Sequence, residues 1–151
     1  MIIRKAEHSD LSAIVELLAN DELGRLRENF STPLPGEYLN AFDKINSDHN
    51  QELVVMVNKS DVVIGTLQLS FIQYLTYRGG IRAQIEAVRV HENYRNKGIG
   101  QELFQWAIDR AKKKGAHVVQ LTTDKKRKSA LKFYEKLGFI ATHEGMKLHF
   151  H

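Results

Sequence analysis

The chain has 151 residues, room for one domain with a sizeable core and too few for a second. Apolar residues make up 42% and charged residues 26%, a globular balance rather than a disordered one. There is no cysteine, which removes disulfides, thiolate catalysis and cysteine zinc sites, and no apolar run approaches the ~20 residues of a membrane span. The formal charge of +4 suits an anionic ligand, while 18 acidic residues mixed among 22 basic ones argue against a nucleic-acid binder. The opening MIIRKAEHSD lacks the apolar core of a signal peptide, so a cytoplasmic protein without a membrane partner is expected.

Ile2 to Ala6 reads as a first strand. Ser9 or Asp10 can cap a helix whose Leu11, Ile14, Val15, Leu17 and Leu18 recur at helical spacing. Pro33, Pro35 and Gly36 break the chain before a second short helix carrying Tyr38, Leu39, Phe42 and Ile45. Leu53–Val57 and Val62–Phe71 form a hairpin across the turn Asn58–Asp61. QYLTYRGGI, residues 73–81, is a connecting loop, and Ala83–Val90 is a strong third strand of this group. A helix follows from about Ile99 to Lys113, stopped by Gly115. Val118–Thr122 is a strand, Ser129–Leu137 a helix ended by Gly138, and Phe139–Phe150 one or two final strands. One α/β or α+β domain over residues 1–151, a sheet with helices packed on it, follows from this order.

The junction VRVHENYRNKGIGQEL, residues 88–103, begins as a strand and ends as a helix. At a helix start the first N–H groups lack intrahelical partners, and the macrodipole adds positive charge, so an anion is stabilised there. Gly98 and Gly100 leave the backbone bare, and Arg95 and Lys97 add charge, a pattern suited to a diphosphate. Gln101-Glu102 stands where a P-loop needs Lys-Ser or Lys-Thr, and Leu103 where a dinucleotide fingerprint needs its third glycine. A tight strand-to-helix turn alone would also account for two glycines.

Val88 to Gly100 matches hydrophobic-x-Val-x-x-x-x-Arg-x-x-Gly-x-Gly, and Ala130 with Phe133-Tyr134-Glu135-Lys136-Leu137-Gly138-Phe139 follows downstream. Together these motifs resemble the GCN5-related N-acetyltransferases, the GNAT superfamily. The resemblance implies a GNAT fold: a central mixed, mostly antiparallel sheet with splayed central strands, flanked by about four helices. It implies acetyl-coenzyme A as cosubstrate, its pantetheine arm bonding to the backbone of Val88, Arg89 and Val90 almost as an added strand. Arg95, Asn96, Lys97, Gly98, Ile99, Gly100 and Gln101 would hold the pyrophosphate.

The same resemblance makes Tyr134 the acid that protonates the departing thiolate, and the Val88 amide a donor to the carbonyl oxygen. The residues alone also allow Tyr134 to be a core-and-rim aromatic in a stripe with Leu131 and Leu137. Glu86, an acidic residue inside an apolar run, is the candidate base or anchor for the substrate ammonium, and a salt bridge with Arg82 or Arg89 is its bland alternative. Regular alternation would put Gln84, Glu86 and Val88 on one face. Arg127 stands where relatives often have an asparagine, seven residues before the tyrosine, and can bind coenzyme A; Lys125, Lys126 and Lys128 read equally as solvated surface.

The seven histidines show no ligand spacing and no metal is expected. Tyr74, Tyr77, Gly79, Gly80, Glu22, Glu28 and Tyr38 are candidates for an acceptor pocket. The function expected is acetyl transfer to the primary amine of a small molecule by direct attack in a ternary complex. The alternatives are a non-catalytic acyl-coenzyme A binding or regulatory protein, or a protein-acetylating member of the same family. A homodimer is expected as the family resemblance implies.

Overall fold

A computed structural model describes residues 1–151. Its strands are β1 (Ile2–Lys5), β2 (Gln51–Val57), β3 (Val63–Gln73), β4 (Ile81–Val90) and β5 (Val118–Gln120), in that spatial order. Neighbours run antiparallel except β4 and β5, which are parallel. Parallel strands need a crossover, and helix α4 (Ile99–Lys113) supplies it. Before the sheet's hairpin come α1 (Leu11–Ala19) and α2 (Gly36–Ser47), and α5 (Ala130–Lys136) follows β5. The four-residue α3 (Thr76–Gly79) is a turn in the β3–β4 loop, with Tyr77 and Arg78 in the left-handed region.

The two sheet faces carry separate cores. On one, α4 buries Ile99, Leu103, Phe104, Ala107 and Ala111 against Met56, Leu67, Leu69, Ala83 and Ile85. Those α4 residues recur at helical spacing, which makes one continuous apolar stripe. On the other, Leu11, Ile14, Val15 and Leu17 of α1 and Phe42 of α2 cover Val55, Val57 and Val63. The expected Asp10 cap takes a different form: its carboxylate accepts from the Glu7 amide at 2.7 Å and from Arg4 at 2.7 and 3.0 Å, tying β1 to the turn before α1. Gly115 and Gly138 follow α4 and α5 with φ of 78° and 97°, the left-handed exits expected of helix-stopping glycines.

The final strands expected over Phe139–Phe150 are absent. Met146, Leu148 and Phe150 keep the alternation that suggested a strand, yet stand 93%, 82% and 87% exposed. Alternation gives a segment the capacity to pair, but a ladder also needs the segment to lie along an edge, and residues 139–150 leave the outer edge of β5 unpaired.

Candidate active site

β4 changes character along its length. Arg82–Gln84 pair with both neighbours, with Phe71, Ile72 and Ser70 on β3 and with Val118–Gln120 on β5. Beyond Gln84 the β5 ladder ends while β4 runs on to Val90, so the two parallel strands part there. On the β3 side the register jumps from Gln68↔Glu86 to Thr66↔Arg89, setting two β4 residues, Ala87 and Val88, against Leu67 alone. This is a β-bulge, and Ala87 takes a φ of 54° within it.

The bulge corrects the alternation read from sequence. Val88 and Val90 pack on the α4 core, whereas Glu86, paired across from Gln68, lies on the opposite, polar face with Gln84 and Ser70. Gln84 is bonded to Gln120, and Gln68 to Gln51 at 2.8 Å, so this face is a row of amides with Glu86 exposed at its bulge end. Neither Arg82 nor Arg89 forms a salt bridge with Glu86: Arg82 stacks its guanidinium on Tyr74, and Arg89 turns to Asp21.

After β4, a tight turn over Glu92–Tyr94 leads into residues 95–98 and then α4. The Tyr94 hydroxyl accepts from Asn58 at 3.1 Å and the His91 amide donates to Ile64 at 2.8 Å, fixing the turn against the β2–β3 hairpin. Gly98 adopts a φ of 81° as the residue before α4. None of the six amides from Asn96 to Gln101 donates to another group of the chain. A Cβ on Gly100 would meet only ordinary contacts, Phe133 at 3.7 Å and Val90 at 3.9 Å, so packing within the protein does not demand a glycine there. Free donors, a helix start and a bare approach fit a diphosphate ligand. The carbonyls of Val88 and Val90 accept from Arg89 at 2.8 Å and Arg95 at 3.4 Å.

Tyr134 of α5 packs against the α4 core, its ring edge-on to Phe104, Phe133 and Phe139. Burial pushes its phenol above the usual tyrosine value, and the positive charges of Arg127 and Arg89 pull it back. The phenol therefore keeps its proton at neutral pH.

Arg127 is the one member of its basic run that turns inward. Its guanidinium donates to both oxygens of Asp21, at 3.0 and 2.7 Å. Lys125, at 94% side-chain exposure, reaches Glu144 at 4.0 Å, in keeping with the solvated-surface reading. Asp21 also accepts from the Gly24 amide at 3.1 Å and lies 3.4 Å from Arg89. The Arg127 bonds, with Arg89 assisting, hold this carboxyl down at about 2 against the cost of its burial. Asp21, 106 residues from Arg127 in sequence, belongs to no motif and sequence reasoning missed it.

The suggested acceptor residues divide into two groups. Tyr38 donates to Glu28 at 3.1 Å, in the segment whose Arg27 and Glu28 charges act on Arg89. Tyr74, Tyr77 and His117 stack together at the other end of β4, bonded through the Tyr74 hydroxyl and the His117 ring. A cleft of about 660 Å³ lies elsewhere, between Trp106, Asp109 and Arg110 of α4 and residues of β1, β2 and the α2–β2 connection. No cluster of three or more His, Asp or Glu side chains is placed to hold a metal ion.

A splayed parallel pair and a helix-start cradle beside the gap are features that the GNAT resemblance anticipates, and the bulge is added by the structure. A family model described as the Acetyltransferase (GNAT) family matches residues 14–139, and the chain belongs to that family. It is an acetyltransferase, and the family's cosubstrate is acetyl-coenzyme A. The glucosamine 6-phosphate N-acetyltransferase of Trypanosoma brucei brucei is 33% identical over 147 residues, covering 97% of this chain and 93% of that one. A solved structure described as a transcriptional regulator from Bacillus halodurans C-125 is 52% identical with a TM-score of 0.96, covering 99% of each chain. The glucosamine-6-phosphate N-acetyltransferase of Arabidopsis thaliana superposes with a TM-score of 0.81 at 25% identity, covering 99% of this chain and 98% of that one. No helix is long and apolar enough to cross a membrane.

Proposed function

We propose that residues 1–151 act as one acetyltransferase domain that transfers the acetyl group of acetyl-coenzyme A to a small-molecule primary amine by direct attack in a ternary complex. The observation that carries this reading is the row of six unpartnered amides, Asn96–Gln101, beside the gap between β4 and β5. Those amides, with Arg95 and Lys97, hold the pyrophosphate, and the backbone of Val88, Arg89 and Val90 receives the pantetheine arm. Acetyl-coenzyme A brings an activated thioester whose carbonyl carbon is open to an amine. The amide at the bulge, Val88, steadies the charge that gathers on the carbonyl oxygen, an effect of ~3 kcal/mol for one aimed donor. Tyr134 gives its proton to the departing sulfur. Glu86, an exposed carboxylate next to the bulge and free of any ion pair, takes the amine's proton or draws in its ammonium form.

The relatives named for glucosamine 6-phosphate acetylation support a small amine as acceptor. A thiol-release assay over a panel of small amines and lysine peptides tests this. Turnover of the peptides alone would assign the chain to protein acetylation instead. The 52% identical structure described as a transcriptional regulator motivates a DNA-binding alternative; retardation of duplex DNA at ~0.1 M salt would favour it. The cytoplasm is the compartment proposed. A homodimer is proposed too, because the exposed, alternating Met146, Leu148 and Phe150 and the free edge of β5 are complementary between two copies. Light scattering after truncation at Gly145 tests it; a monomer before truncation refutes it.

A further inference from the structure

Three segments meet at the gap between β4 and β5, and each contributes one charge. Asp21 follows α1, Arg89 follows the bulge, and Arg127 comes from the segment between β5 and α5. Asp21 and Arg89 are nearly enclosed, with side chains 12% and 15% exposed. Arg27 and Glu28, the next charges outward, pair with each other at 3.5 Å. Two guanidiniums therefore share one carboxylate, and the cluster carries an excess positive charge in a partly buried place.

The sharing is unequal. Arg127 takes Asp21 in a two-pronged grip at 3.0 and 2.7 Å, while Arg89 reaches it only at 3.4 Å. The Arg89 Nε is buried with no hydrogen-bond partner. A buried, under-bonded guanidinium is costly if permanent, because its donors have given up water for nothing. It is economical if a larger oxyanion completes the set, and planar guanidinium forks match carboxylate and phosphate oxygens.

We propose that Arg89 and Arg127 form the receptor for an oxyanion carried by the acceptor amine, and that the Asp21 carboxylate fills this receptor while the acceptor is absent. The proposal rests on the acetyl-transfer reading of this gap. Asp21 shows the geometry of the bound group in advance: a carboxylate held by one fork and within reach of the other. An acceptor carboxylate or phosphate replaces it without fresh desolvation of the arginines, since the fold has already enclosed them. Phosphate, with three oxygens, can also engage the Arg89 Nε. A neutral amine of the same length has nothing to exchange for Asp21 and is discriminated against. The positive charges of both arginines reach the Tyr134 phenol, so an acceptor held by this receptor lies on the same side of the fold as the proposed acid.

The test is a calorimetric titration of the full chain saturated with coenzyme A, so that the phosphate-binding turn is filled. Ethanolamine, 3-aminopropanoate and 2-aminoethyl phosphate are the probes, which share an aminoethyl group and differ in the charge of the group it carries. At least one anionic amine is expected to bind tenfold or more tighter than ethanolamine, and which one does so separates carboxylate from phosphate. Arg127→Gln should reduce that advantage to less than threefold. Asp21→Asn, which empties the receptor of its internal anion, should raise the affinity for inorganic phosphate at least threefold, a gain that misfolding cannot imitate. Equal behaviour of the three amines, whether they bind or not, or an unchanged phosphate affinity in Asp21→Asn, would mean that the cluster is a structural ion-pair network. Failure of the acetyl-transfer reading would look different: coenzyme A itself would not bind, and the phosphate titration of Asp21→Asn would still decide the receptor.

Discussion

Ile81–Ile85 and Glu86–Val90 are consecutive halves of one strand, built from similar residues, and they do different work. The first half has a neighbour on each side through Gln84, and Ala83 and Ile85 are enclosed against α4. The second half has lost its β5 neighbour, contains a bulge and leaves backbone groups outside the regular ladder. Ladder and core consume the backbone's hydrogen-bonding capacity in one half and leave part of it outside the ladder in the other, where the proposed function puts the cosubstrate. The site thus arises from what the strand stops doing after Gln84.

The contrast can be broken most severely on the open side. Tyr134→Phe should lower the acetylation rate by roughly 10²–10⁴-fold, the usual worth of a placed proton donor, while the ring's packing on Phe104 preserves the fold. Steady-state thiol release with an unchanged melting curve would show this, and near-normal turnover would remove Tyr134 from the chemistry. On the closed side, Ile85→Ala should act on stability instead, costing about 2–4 kcal/mol in urea denaturation because it empties part of the core.

Asp21 gives a pH-dependent prediction of intermediate size. Its carboxyl is held at about 2, so the folded state favours the ionised form. That stabilisation is complete above the unfolded value near ~4 and is lost as pH falls through about 2. Asp21→Asn should therefore cost about 1–2 kcal/mol at neutral pH and progressively less in acid, where the unfolded carboxyl takes up a proton before the folded one does. Chemical denaturation of both proteins at pH 6 and pH 2.5 measures the difference. A gap that stays constant or widens in acid would contradict the ion-pair geometry.

The smallest effect is the sharpest comparison, because one substitution is made in both halves. Ala83→Gly should cost about 1–2 kcal/mol, from lost methyl burial and added chain entropy in a regular ladder. Ala87→Gly should cost nothing and gain up to about 1 kcal/mol, since the φ of 54° strains an alanine and suits a glycine. Equal losses at both positions would argue against the bulge.

The sequence made legible what is local. The glycine turn, the limits of α4, and the stops at Gly115 and Gly138 depend on residues whose conformational preferences act over a few positions. The bulge stayed hidden because Ala87 carries no signal for a left-handed conformation, and a reading by alternation then placed Glu86 and Val88 together. Asp21 stayed hidden because its partners are distant in sequence, and before folding it looks like any loop carboxylate. Arg127 was found through its place before Tyr134, but its inward turn could not be told from the solvated lysines around it. The C-terminal residues show the opposite error: Met146, Leu148 and Phe150 have the pattern of a strand, while pairing depends on an edge that pattern alone does not provide.

The central claim is that the second half of β4 and the turn after it hold acetyl-coenzyme A through backbone groups. Amide NMR during titration with acetyl-coenzyme A observes those groups one by one. The account predicts the largest shifts at Val88–Val90 and Asn96–Gln101, with slowed hydrogen exchange at the turn and little change at Ile81–Ile85. Saturable binding with shifts clustered elsewhere, such as the cleft around Trp106 and Arg110, or no shifts at all, would contradict it.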